Sequence, residues 1–156
     1  MTFETISLIL ALVLGLTYVI SARVKKGAPL ESYSSISYIL PSWMFTTVTF
    51  LIGMLTAPMI FEKMPENFKF FGFLMALGLG MVSATPYFHT ENKPLHYIGG
   101  FGFCIFAMVI VGFLNPWMLL GWLPLLTYIV FKPKDKNLTF YAEAVAYIIL
   151  FITLLL

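Results

Sequence analysis

The sequence predicts an all-α, polytopic membrane bundle of six transmembrane helices with both termini outside. Three observations predict it. Of the 156 residues, 60% are hydrophobic and only 10% are charged, and the mean hydropathy is +0.94. A water-soluble domain carries roughly 25% charged residues to cover its core, so this chain must use lipid as its solvent. The apolar residues fall into six runs divided by short polar stretches, and the basic residues collect on alternate stretches.

The first run, 5–22, is followed at once by Arg23, Lys25 and Lys26, while Glu4 is the only charged side chain before it. That order is the reverse of a cleaved signal peptide and fits a retained anchor. The second run, 39–61, begins with Pro41 where a first helical turn tolerates proline. The third and fourth cover 70–87 and 95–113, and a Leu114-Asn115-Pro116 turn leads to the fifth, 117–131. The fifth is the shortest and has Pro124 in its middle, so it spans fully or forms a re-entrant hairpin with the fourth. The sixth covers 138–156. All are near the roughly 20 residues that cross a bilayer. No linker divides them, so residues 1–156 form a single domain.

With the N-terminus outside, the inner stretches hold Arg23, Lys25, Lys26, Lys93, Lys132, Lys134 and Lys136, against Lys63 and Lys69 outside. Seven against two orients the bundle by the positive-inside rule. The net charge of +2 is too small to imply nucleic acid, and the lone Cys104 excludes a disulfide framework.

Gly72, Ala76, Gly80 and Ala84 recur at steps of four in the third run, with Gly78 and Ser83 beside them. Thr46, Thr49, Gly53 and Thr56 make a similar stripe in the second. Small residues at this spacing let helix backbones approach closely, so both stripes are expected to be packing seams, the alternative being the lining of a solute path.

Unusual polar groups concentrate on the inner side. Glu143 lies about 7 to 9 Å into the sixth run at 1.5 Å per residue. A carboxylate at that depth must face protein, a partner or water. It would serve as proton acceptor, cation ligand or general base, or else pair with a nearby lysine. His89 and His96 flank Glu91, but a separation of seven residues interrupted by Pro94 is not a zinc pattern. No metal and no cofactor is expected, and His89 reads as a solvated turn residue. His96 opens the fourth run ahead of Gly99 and Gly100, where it could meet Glu143 or the serines before the second run. Those serines, Ser34, Ser35 and Ser37, are candidate headgroup contacts or helix-start caps. No nucleophile elbow or phosphate loop is present.

The serine segment before one span, together with Pro86, Phe88, His96, Gly99 and Gly100 between two later ones, resembles the broad DUF998 and Frag1/DRAM-like group of small bacterial membrane proteins. Ser35 and Ser37 carry the serine part of the likeness. It implies a six-helix fold in the bacterial inner membrane and singles out Ser37 and His96, but the group carries no settled reaction.

Three functions follow as expectations. The first is a bundle whose inner polar cavity, lined by Ser37, His96 and Glu143, binds or transports a lipid headgroup, proton or small amphiphile. The second is a scaffold or subunit for another membrane protein, and the third a lipid-modifying enzyme using His96 and Glu143. A single intramembrane acid is a thin inventory for hydrolysis and counts against the enzyme. Membrane lipids are the expected partners, with a homo-oligomer or a second membrane protein beside them.

Overall fold

The computed structural model describes residues 1–88 and 92–156. Among these, six α-helices follow in order: α1 (Phe3–Lys26), α2 (Ser42–Lys63), α3 (Lys69–Ser83), α4 (Lys93–Leu114), α5 (Leu123–Phe131) and α6 (Leu138–Leu155). Three 3₁₀ segments intervene at Ser34–Tyr38, Glu66–Phe68 and Pro116–Trp122. No strand occurs among the described residues. Four helices, α1, α2, α4 and α6, are long and apolar enough to cross a membrane.

Local chemistry sets the ends. Thr2 caps α1 by accepting a hydrogen bond from the Thr5 amide at 3.3 Å, and Gly27 closes it with φ 66°. A left-handed residue there returns an amide to an orphan carbonyl, which glycine does without a Cβ penalty. Pro94 sits in the first turn of α4, where its missing N–H has no helical partner to lose. Pro58 lies inside α2 and withholds a donor from the preceding turn. Close by, the Ser7 hydroxyl of α1 donates to the Leu55 carbonyl at 2.7 Å.

Two of the runs fold differently from expectation. The third is helical only to Ser83, because Thr85 turns its hydroxyl back onto the Met81 carbonyl at 2.7 Å and Pro86 follows. The fifth breaks into a 3₁₀ segment and the short α5, with Pro124 in the first turn of α5 rather than mid-helix. Proline has no amide to continue an upstream helix, so the break falls just before it.

The helices pack as a sequence of neighbours. The α3–α4 pair is the most extensive, followed by α1–α2 and α2–α3, and α6 rests on α4. By contrast α6 barely touches α1 and α2. One core gathers Leu8, Ile60, Met75, Ile110 and Leu150. A second, at the other end, gathers Tyr18, Leu30, Tyr33, Ile36 and Phe45. The outward face of α1 is a stripe of Leu10, Val13, Leu16, Ile20 and Val24, all exposed. An unbroken apolar face of that kind is intolerable in water and ordinary in lipid.

The closest helix contact is between α3 and α4. A Cβ on Gly78 would stand 2.7 Å from both the Gly99 carbonyl oxygen and the Phe103 amide nitrogen, and a Cβ on Gly99 would stand 2.6 Å from Met81 Cβ. Here the stripe expected from Gly72, Ala76, Gly80 and Ala84 needs correction. Gly72 does meet α2, since a Cβ placed on it would stand 2.7 Å from Ile60 Cγ2, but Gly80 faces open space and Ala84 is exposed. At 3.6 residues per turn Gly78 lies about 120° round the helix from Gly72, so α3 meets its two neighbours on separate faces, α2 at Gly72 and α4 at Gly78. In α2 the expected stripe is buried at Thr49, Gly53 and Thr56.

Candidate functional site

The segment between α1 and α2 folds inward and is held at two adjacent residues. The Tyr33 amide donates to Glu143 Oε2 of α6 at 2.6 Å. Ser34, the next residue, places its Oγ 2.8 Å from His96 Nε2 of α4. A third tie joins the Phe140 amide to the Glu31 carbonyl at 3.1 Å. His96 and Glu143 thus hold the same strap at neighbouring points. Among the described residues no hydrogen bond joins them to each other.

His96 is buried at 5% exposure. Its Nδ1 lies 3.0 Å from Thr85 Oγ1 and 3.1 Å from the Thr85 carbonyl oxygen. A carbonyl only accepts, so Nδ1 carries the proton and Nε2 accepts from the Ser34 hydroxyl. The Phe88 ring stacks on the imidazole at 4.2 Å with planes 14° apart. Both ring nitrogens are occupied, and the ring acts as a clasp joining the strap, the end of α3 and the start of α4.

Ser37 reinforces that clasp. Its hydroxyl lies 2.9 Å from the Ser34 carbonyl and 2.7 Å from the Pro86 carbonyl, sharing its single proton between them. Ser35 stays local, exchanging hydrogen bonds with Ser32 across one turn. His89 and Glu91 lie outside the described residues. Among the described residues no three His, Cys, Asp or Glu side chains are grouped to share a metal ion.

Glu143 faces a different place. Where α1 and α6 diverge, a groove of about 250 Å³ runs between them. Its walls include Ala11, Gly15 and Leu16 of α1, Ile52 of α2, and Phe140, Ala144 and Tyr147 of α6. Tyr33 and Glu143 complete the lining. Phe140, Glu143 and Tyr147 fall at i, i+3 and i+7, one face of a helix. The carboxylate is therefore flanked by an aromatic ring one turn to either side, with Tyr33 opposite. Burial pushes the Tyr33 phenol up to about 12, and the nearby Thr49 hydroxyl tempers that shift without the alignment of a full hydrogen bond. Tyr33 is neutral at any physiological pH.

The inner polar cavity expected from Ser37, His96 and Glu143 together is not what the fold builds. His96 bonds Ser34 and Thr85, Ser37 bonds Ser34 and Pro86, and of the three only Glu143 is among the residues that line the groove between α1 and α6. The residues that sequence reasoning missed are Tyr33 and Thr85. Tyr33 acts through its backbone amide, which no side-chain pattern betrays. Thr85 bonds His96 across a turn, so no helical spacing links them.

Comparison with protein-family models, with curated proteins and with solved structures finds no match to this chain.

Proposed function

We propose that the chain is a small membrane protein of six membrane-embedded segments that binds an amphiphile in the groove between α1 and α6, with Glu143 as its polar contact. The carrying observation is the groove itself, an apolar opening between α1 and α6 whose lining includes Glu143. Leu16 and Ile148 at its mouth are 53% and 57% exposed, so a chain could enter sideways from the bilayer. His96 does not line that opening, and both its nitrogens are occupied, which favours binding over chemistry. Membrane lipids are the natural source of such ligands.

The orientation in this proposal has the N- and C-termini outside, supported by the seven-to-two bias of basic residues. The kinship to the DUF998 and Frag1/DRAM-like group belongs to the same proposal. In its support, Ser37, Pro86, Phe88 and His96, which carry that likeness, gather at one clasp.

A neutral decyl-chain alcohol bearing a mid-chain diazirine tests the groove in lipid nanodiscs. Photolabelling is expected at Leu12, Leu16 or Ile148 and is expected to vanish in Ala144→Phe, which fills the groove. Labelling that is indifferent to this substitution refutes the site. Orientation is tested with Cys104→Ser chains carrying Lys134→Cys or Glu66→Cys. A membrane-impermeant maleimide added outside should label position 66 and spare position 134.

A further inference from the structure

We infer that the groove selects an amphiphilic organic cation, an alkylammonium head on a short apolar chain; this deepens the amphiphile-binding reading and rests on it. Three features of the groove carry the inference.

The first is an uncompensated acid. Among the described residues, ion pairs join only Lys26 to Glu31 and Lys69 to Glu66, and none of their Lys, Arg or His side chains lies within ion-pair distance of Glu143. Of its two oxygens, Oε2 receives the Tyr33 amide and Oε1 receives no hydrogen bond from the described residues. A carboxylate kept ionised inside an apolar wall needs a counter-charge; none comes from the described residues, and Glu143 itself lines the groove.

The second is the ring arrangement. Phe140 and Tyr147 stand one turn below and one turn above Glu143 on the same face of α6, and all three line the groove. Tyr33 faces them from the strap, its ring centroid 5.9 Å from that of Tyr147. Aromatic faces attract cations through the ring quadrupole, and quaternary ammonium groups are the ligands for which such clusters are best suited. A neutral hydroxyl would satisfy Oε1 but gain nothing from three rings. An anion would meet the carboxylate directly and be repelled.

The third is shape. A cavity of about 250 Å³ is below the usual span of roughly 300–1,000 Å³ for drug-sized ligands. It accommodates a compact head, and the lateral mouth between Leu16 and Ile148 lets the chain continue into lipid. A rigid, bulky cation has no room, whereas a trimethylammonium on a linear chain fits both parts.

The test is competition against the neutral photo-probe in nanodiscs of zwitterionic lipid, using decyltrimethylammonium, decanol and decyl sulfate. In the unsubstituted protein the cation should displace the probe at about tenfold lower concentration than decanol, as expected for a Coulombic contact between a quaternary ammonium and a carboxylate, and the sulfate should be weakest. Glu143→Gln retains an oxygen for the Tyr33 amide, so the fold persists while the cation and the alcohol become equally potent. Phe140→Leu should weaken the cation about threefold and leave decanol unchanged. Equal potency of cation and alcohol in the unsubstituted protein, or a cation preference that survives Glu143→Gln, overturns the inference while leaving the amphiphile groove intact. Loss of groove-specific labelling with every probe defeats both together.

Discussion

Adding one methyl group to Gly99 should loosen the bundle, whereas the same methyl on Gly80 should not. At Gly99 the new Cβ would stand 2.6 Å from Met81 Cβ, 2.7 Å from the Gly78 carbonyl oxygen and 3.1 Å from the Val82 amide nitrogen. Two of these three neighbours are backbone atoms, which cannot rotate away. Restoring ordinary contact near 3.4 Å requires α3 and α4 to separate by roughly 0.7 Å along their shared face, and overpacking of this kind costs about 1–3 kcal/mol. Against it stands the helix propensity of alanine over glycine, about 1 kcal/mol in water. That gain shrinks in a membrane, where unfolded segments stay helical to satisfy their backbone. Gly99→Ala should therefore destabilise by about 1–2 kcal/mol. Gly80→Ala meets nothing within 4 Å and should be neutral or slightly stabilising. Reversible SDS titration from mixed micelles, followed by tryptophan fluorescence, reads both. Equal midpoints for the two variants would refute the backbone contact as the seam.

Ser34→Ala removes the hydroxyl facing His96 Nε2 and should cost about 1–3 kcal/mol, the penalty for a buried polar atom left unpaired; the same titration checks it. Glu143→Ala strands the Tyr33 amide and should cost a similar 1–3 kcal/mol, while Glu143→Gln, which still accepts that bond, should stay close to the unsubstituted midpoint. The Tyr128 hydroxyl and the Asn137 amide hold the half-buried Asp135 carboxyl below the usual carboxylate range. A depressed carboxyl contributes its stability above the unfolded value and loses it as pH falls through the folded one. Tyr128→Phe should move the Asp135 titration, followed by carboxyl-labelled NMR, upward toward the ordinary range; an unchanged midpoint would exclude Tyr128 as the cause.

The helical class and the positions of α1, α2, α4 and α6 were legible because hydropathy and length alone decide them. The ends of α3 and α5 were not. Proline marks a boundary without saying whether the chain stops before it or restarts, and Thr85 ends α3 through a side-chain bond that propensity does not register. Within the site, Glu143 stood out because a carboxylate in an apolar run has few reasons to exist. Its partner was hidden, since an amide is common to all residues but proline. Small-residue spacing pointed to α3 as a packing helix, but one stripe cannot show that α3 meets α2 at Gly72 and α4 at Gly78, on faces about 120° apart.

The strap between α1 and α2 also bears on the order in which this chain assembles. Its tie to His96 spans 62 residues, and its tie to Glu143 spans 110. As the chain emerges from the ribosome, α4 arrives well before α6. The strap can therefore dock onto the α3–α4 hairpin while the Tyr33 amide still awaits an acceptor and the α1 side of the groove stands open to lipid. Entry of α6 then completes the wall and supplies the carboxylate in the same movement. A chain halted before Leu138 should keep the His96 clasp and lack the groove altogether, so the clasp forms first and the groove only once α6 is in place.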